Sequence, residues 1–427
     1  MATHSDITKR FFLLAKHQEI QALRHLSSNC KVVKAVTDMI HQLQRERGMS
    51  NVFLCSKGER FKEQRALQEE VSKESEKQLR SLLHALYLSN SDKDSGIRLI
   101  NSITFSLQGM DNLNGLRSKV SSQQLTPSES TNAFCRLIAA FIDVIFEAAD
   151  VASDPAITAL LVALFNFIQG KEFAGQERAC GAIGFSSQHF QSSLCDRITA
   201  LTDSQNNAFD TFTKFADATE LSMWQQQLDS EHTRHLKRLR KMICALDDND
   251  SCTASLSEIW YDIATLRIDD MRDIEEHITD RLIERAAQRI SEAEEELRNN
   301  EQLVASLNST PPVDGAPISM IFDETVKGLS IADNDIVEGL TPSSLSAHKS
   351  FYDLIREQAQ RIHDITTELN GAKQALNEQR VIDRAKLLLM QQGKLSENQA
   401  YKKLQSAAMD NNIRIAELAH RIVANAS

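Results

Sequence analysis

Arginine occurs in this 427-residue chain at places where the apolar pattern asks for a core residue. Val33, Val36, Ile40 and Leu43 recur at spacings of three and four and so line one helix face; the next position on it is Arg47, in "RERGMS". Ile157, Leu161, Leu164 and Ile168 form a second stripe, whose continuation passes Gly175 and reaches Arg178 in "KEFAGQERACGAIGF". Arg234 and Arg238, four apart, share a face beside a third stripe of Leu228, His232, His235, Leu239 and Met242. A guanidinium cannot shed its charge, and burying a cation without a partner costs several kcal/mol, so something must neutralise each one.

Two chemistries would do it. One is internal salt bridging, for example Arg47 with Glu46 or Glu177. The other is convergence of arginines from different helices on a small anion. The steps Glu46–Arg47 and Glu177–Arg178 both lie on otherwise apolar faces, and Ala174, Gly175, Ala179 and Gly181 would let helices approach closely there. A guanidinium fork presents paired N–H donors in one plane, which matches a planar oxyanion. Nitrate and nitrite give up hydration more cheaply than phosphate or sulfate, which suits a dry, narrow pocket. The residues alone leave nitrate, bicarbonate and a carboxylate open.

The elements that must hold these side chains are helical. The chain has 14 glycines, 6 prolines and only 6% aromatic residues, and between Gly184 and Pro311 it has no glycine or proline at all. That composition favours helix over sheet and predicts an all-α fold of antiparallel bundles. Breaks are expected near Gly48, Gly58, "LSNSDKDSG", "LTPSES", "ASDPA" and "DDNDS". Four of the six prolines fall between 311 and 342, in a segment rich in Gly, Ser and Asp that reads as a linker. The expected organisation is a helical-bundle body over 1–308, a linker over 309–349, a coiled-coil helix over 350–379 and a terminal domain over 380–427. In the coiled coil, Ile355, Ile362, Leu369 and Leu376 fall at sevenfold spacing, with Phe351, Ile365 and Ala372 on the alternate seam. A helix packed on its own domain would show the same pattern.

The last fifty residues divide into three short helices. The first runs from about Arg380 to Gln392, the second starts at a Ser396–Gln399 capping box, and "NN" at 411–412 breaks the chain before the third. Ile382, Ala385, Leu389, Ala400, Leu404, Ala408, Ile415, Leu418 and Ile422 would form their core. From residue 378 onward eight bases face five acids, within a chain of net charge −11. A locally basic module on an acidic body fits phosphate binding by that module, and a solvated helical face fits equally.

Here the residues carry a resemblance. "RAKLLLMQQGKLSENQAYKKLQSAAMDNNIRIAELAHRIV" resembles the ANTAR domain, the RNA-binding module of transcription antitermination regulators, through Ala385–Lys386, Leu389–Met390, Ser396–Glu397, Ala400–Tyr401, Leu404, Ala407–Ala408, Asn412 and Leu418–Ala419. The resemblance implies binding to paired hairpins in leader mRNA, prevention of termination, and a homodimer formed through the preceding coiled coil. The RNA-facing set would be Arg384, Lys386, Lys402, Lys403 and Arg414, while Tyr401 reads either as a base-stacking platform or as a buried anchor. Leu387 stands where the family commonly has glycine and is expected to bear on packing. Gln405 stands where it often has arginine, which removes a candidate phosphate contact.

"QRERGMS" and "KEFAGQERACGAIGF", on a helical region of this length, resemble the NIT domain, a nitrate- and nitrite-sensing helical module. That resemblance chooses among the oxyanions. It implies Arg47 and Arg178 as ligands, with Arg234 as a third and Arg238 as a further candidate, no cofactor beyond the regulatory anion, and closer helix packing once the repulsion among the arginines is relieved. The acidic body would hold the basic tail until then.

Other function classes lack their residues. There is no GxGxxG, Walker loop or HExxH, and the carboxylate-x-x-His pairs at Asp38/His41, Asp229/His232 and Glu417/His420 do not supply a di-iron set. No enzyme and no metal site are expected. Seven scattered cysteines without a CxxC read as reduced thiols in a cytoplasmic protein. The longest apolar run, Ala156–Ile168, is shorter than the roughly 20 residues a membrane span needs. The competing reading is a helical adaptor whose tail binds protein rather than RNA.

Overall fold

The computed structural model describes residues 4–89, 96–186, 192–243, 254–308, 342–393, 397–411 and 413–426, and every regular element among them is helical. Residues 309–341 of the expected linker, the "DDNDS" break, Ser396 and Asn412 lie outside the described residues, as do the side chains of Phe351 and Ile355, while 342–349 belong to the last long helix. In chain order the α-helices are α1 His4–Cys55, α2 Lys62–Leu83, α3 Ile97–Asp111, α4 Leu113–Ser121, α5 Pro127–Val151, α6 Pro155–Ser186, α7 Ser192–Phe215, α8 Ala218–Leu228, α9 Glu231–Ile243, α10 Ala254–Asn308, α11 Pro342–Gly393, α12 Glu397–Asp410 and α13 Ile415–Ala426. A π-helical turn, His84–Leu88, follows α2.

The chain forms two units. The larger comprises 25–286 and 369–427. Its main core joins Val33, Val36, Ile40 and Leu43 of α1 to Phe134, Ile138 and Phe141 of α5, to Ile157, Leu161, Leu164 and Ile168 of α6 and to Met271, Ile274 and Ile278 of α10. A second core gathers Cys180 and Phe185 of α6, Ile198 and Leu201 of α7, Leu236 of α9 and Trp260 of α10. Helix α6 therefore serves both cores. It is long and apolar enough to cross a membrane by length and composition, yet most of it is buried inside this fold. The smaller unit, 1–24 and 287–368, packs Ile20 and Leu23 on Ala293 and Leu297, with Lys16 and Arg361 both on Glu296.

Several boundaries follow from local chemistry. Thr126 caps α5 in a full capping box with Glu129, and Pro127 sits at its first turn, as "LTPSES" implies. Gly58 turns the chain after α1 with φ of 87°, a region open to glycine. Gly48 does not end its helix: α1 runs through it to Cys55. Inside the stretch free of glycine and proline, breaks arise from polar caps instead. Asp217 and Glu220 form a capping box for α8, and the Ser230 hydroxyl accepts from the Thr233 amide ahead of α9.

Helix α11 spans the expected coiled coil and the first tail helix without a break. Ala372 and Leu376 are buried, Leu376 within the main core, whereas Ile362 remains 57% exposed. The C-terminal half of the heptad pattern is thus the face of a helix packed on its own body. Ala385, Leu404 and Ala419 form the centre of the three-helix tail, with Ile382, Leu389, Ile415, Leu418 and Ile422 packed around them, and Ala400 and Ala408 are also buried. Leu387 is 57% exposed, so the departure from glycine there does not enter the core.

Candidate functional site

Helices α1 and α6 cross where each carries an arginine beside a glycine of the other. A Cβ on Gly48 would lie 2.5 Å from Arg178 Nη2, and one on Gly175 would meet Arg47 Nη2. Both contacts are closer than real Cβ atoms show, so a side chain at either glycine would displace the guanidinium group laid over it. The expected helix break at Gly48 is in fact a close approach.

Arg47 is 1% exposed. Its fork meets the Glu172 carboxylate, with Nη1 on Oε1 and Nη2 donating to Oε2 at 3.1 Å, and Nη1 also lies 3.0 Å from Cys135 Sγ. Gln44 Nε2 donates to Glu172 Oε2 at 2.9 Å and Gln176 Nε2 to Oε1 at 3.0 Å. Burial opposes the Arg47 charge, but Glu172 and Cys135 outweigh it and hold Arg47 above the ordinary arginine value. Its salt bridge is real and internal, though to Glu172 rather than to Glu46 or Glu177. Glu46 is taken by Arg117, at 2.8 and 2.9 Å.

Arg178 is different. Its Nη1 donates to Thr265 Oγ1 and its Nη2 to the Gln44 carbonyl oxygen, each at 3.0 Å, and its guanidinium carbon lies 5.2 Å from the centre of the Tyr261 ring. Among the described residues no carboxylate pairs with it. Its Nε is buried without a partner, as is that of Arg47. Burial lowers its proton affinity and the nearby Arg47 charge lowers it further, against partial offsets from Tyr261, Asp269 and Glu172. Gln44 ties the two arginines together, its amide on Glu172 and its carbonyl on Arg178. Two buried guanidiniums therefore share one carboxylate.

Arg234 and Arg238 do not join them. Both are exposed, and Arg234 Nη2 donates to the Asp229 carbonyl oxygen at 2.9 Å. The inner face of α9 runs Thr233, Leu236, Arg240, Ile243, one residue out of phase with the expected stripe. The arginine that turns inward is Arg240, whose Nε and Nη2 donate to Glu177 Oε1 and Oε2 at 2.6 Å each. Gln205 Nε2 donates to the same Glu177 at 2.7 Å, and Gln205 Oε1 accepts from Arg267 Nη1 at 3.0 Å. A further buried set places Lys171 against Glu275 and His41, with Arg272 bridging Glu275 to Asp38. Glu172 and Arg267 carry signals visible in the sequence. Glu172 follows Ile168 by four on the α6 stripe, and Arg267 interrupts Trp260, Ala264, Met271 and Ile274 just as Arg47 interrupts its own stripe. Gln44, Tyr261 and Thr265 carry none, because their roles depend on which helices cross.

In the tail, Arg384, Lys402, Lys403 and Arg414 are exposed, while Lys386 is partly covered and pairs with Asp383 at 2.7 Å. Tyr401 is half-buried, and its hydroxyl oxygen accepts from Asn207 Nδ2 of α7 at 3.1 Å. Lys386, Tyr401 and Lys402 line a cleft of about 790 Å³ whose opposite wall carries Phe173, Arg197 and Lys214. Farther along α11, Arg380 reaches Glu147 at 3.3 Å and lies over the Phe146 ring, and Lys373 donates to the Asp150 carbonyl oxygen.

The nitrate- and nitrite-sensing family, NIT, matches residues 38–283, more than half of the chain and both arginine–glycine pairs. The chain belongs to the NIT family. An ANTAR domain matches 370–423, which covers the three-helix tail and the end of α11 leading into it. Along nearly its whole length this NIT-family chain is similar to the nitrate regulatory protein of Klebsiella oxytoca, with 28% identity over 428 residues, 99% of this chain and 96% of the relative. The solved structure of the NasR transcription antiterminator shares the fold, with a TM-score of 0.60, 24% identity, and coverage of 97% of this chain and 98% of that one.

Proposed function

We propose that this NIT–ANTAR chain is a nitrate- or nitrite-responsive transcription antitermination regulator, without enzymatic activity, acting in the cytoplasm. Arg47 and Arg178 form the anion seat, and the ANTAR tail binds leader-mRNA hairpins and prevents termination. One observation carries the seat: among the described residues Arg178 is a buried guanidinium with no carboxylate in salt-bridge contact, beside a second guanidinium that already pairs with Glu172. Structural ion pairs do not leave such an excess, because an uncompensated buried cation costs several kcal/mol. A planar monoanion accepting from the free edges of Arg178 and Arg47 would balance it.

The tail's readiness for RNA depends on the same larger unit. Lys386 and Tyr401 face α7 across the cleft, and the Tyr401–Asn207 bond and the Arg380–Glu147 pair hold the tail there. Neutralising the arginine pair shifts the α1–α6 crossing, and with it the α6–α7 surface that covers Tyr401. A ligand moves such an equilibrium only by its differential affinity for the two states, typically ~1–3 kcal/mol for coupled sites, so the docked and released forms lie close in free energy. The exposed Ile362 on α11 and Phe11 and Leu14 on α1 are apolar positions that a second copy would cover in a homodimer. Sedimentation of the full chain distinguishes dimer from monomer.

The deciding experiment is an RNA gel shift with the full chain and its target leader, with nitrate or with sodium gluconate at matched ionic strength. Nitrate strengthens binding by the wild type, and Arg178→Met abolishes that response while the protein stays folded. Undiminished activation of the variant by nitrate overturns the seat.

A further inference from the structure

The larger unit holds a second buried cation in excess of its carboxylates. Arg267 of α10 is 6% exposed, and among the described residues its guanidinium has one hydrogen-bond partner, the neutral Gln205 Oε1. The near carboxylate, Glu177, is saturated by two bonds from Arg240 and one from Gln205. Two guanidiniums again share one negative charge. Arg240 Nη2 also approaches Gln205 Oε1, at 3.3 Å, so both cations face one oxygen position. Among the described residues, one of the five N–H donors of Arg267 has a hydrogen-bond partner. Burial and the Arg240 charge press its proton affinity down to about 10, with only partial relief from Glu177.

We propose that Arg267 and Arg240, on either side of Gln205, form a second anion seat that takes a small planar monoanion of the nitrate class. The seat is distinct from the one at Arg178. Thr265, which holds Arg178, and Arg267 are two residues apart on α10 and so face different neighbours. The two seats meet at a single step of α6, Glu177–Arg178, so that occupation of either bears on the same helix. The inference rests on the function proposed above only for the identity of the ion.

A purely structural Arg267 and a ligand-holding one respond to mutation in opposite directions. Replacing a well-satisfied buried ion pair partner destabilises, whereas replacing an uncompensated buried cation by an apolar side chain of similar volume stabilises. The test is calorimetric titration of nitrate into the full chain in sodium gluconate at constant ionic strength, with thermal melts in the same buffers. Wild type takes two nitrates per chain. Arg267→Met takes one, melts higher than wild type without nitrate, and shows a smaller rise with it. Gln205→Glu sets a carboxylate against Arg267 and also takes one, which keeps the test open should Arg267→Met fail to fold. A wild-type stoichiometry of one, or two equivalents that persist in both variants, overturns the second seat. If the single equivalent then vanishes in Arg178→Met, the function proposed above stands without it. If no nitrate binds at all, both fall.

Discussion

The NIT region and the ANTAR tail use the same cations in opposite ways. In the NIT region Arg47, Arg178 and Arg267 are buried on faces that otherwise hold core residues, and each group's partners can be named atom by atom. In the tail, Arg384, Lys402, Lys403 and Arg414 stand in solvent over a core of alanines and leucines. A buried guanidinium is costly, so its local charge balance decides what it can bind, and one small ion changes the balance completely. Exposed cations are cheap, act additively on a polyanion and are screened by salt. One region is built to notice a single charge, the other to sum many.

The sharpest way to break this contrast is to remove the shared carboxylate. Glu172→Gln leaves Arg47 and Arg178 without a compensating charge and is expected to lower unfolding free energy by about 3–5 kcal/mol in denaturant titrations. Nitrate should restore part of that loss; an equal effect of gluconate would contradict the charge-balance account. Gly48→Ala and Gly175→Ala each force a methyl into a guanidinium and should cost about 1–3 kcal/mol by the same measurement. Tyr401→Phe removes the bond from Asn207, worth about 0.5–1.5 kcal/mol, and should raise nitrate-free RNA binding by up to about tenfold in gel shifts. At the small end, Lys402→Gln or Arg414→Gln should leave stability within about 0.5 kcal/mol and reduce the salt dependence of RNA affinity by about one unit of log–log slope. A tail substitution that instead altered nitrate binding would show the two regions to be less separate in kind than their burial implies.

Much of this was legible beforehand, in definite places. Periodicity located the α1 and α6 stripes, and Arg47 and Arg178 stood out because a charged residue interrupted a periodic apolar face. The nine positions expected for the tail core lie in or around its core. The inward face of α9 was read one residue out of phase because the helix is short and strongly basic, so two phases fit its pattern; packing against α6 and α7 selects the face bearing Arg240. The heptads of α11 stay ambiguous for a related reason, since a sevenfold apolar repeat does not say whether the facing surface belongs to another chain or to the body of its own.

Sequence alone determined what is set by local periodicity and local cost: an all-helical chain, a break at "LTPSES", a small-residue tail core, and arginines too expensive to be buried idly. Tertiary structure decided the partners. That Glu172 answers Arg47, that Arg178 is left with an aromatic face and two neutral oxygens, and that Gly48 is a space for a guanidinium rather than the end of a helix all depend on where α1, α6 and α10 cross. Those crossings bring together residues more than a hundred positions apart, and Coulomb and steric terms at 3 Å carry no trace in the spacing of residues along one helix.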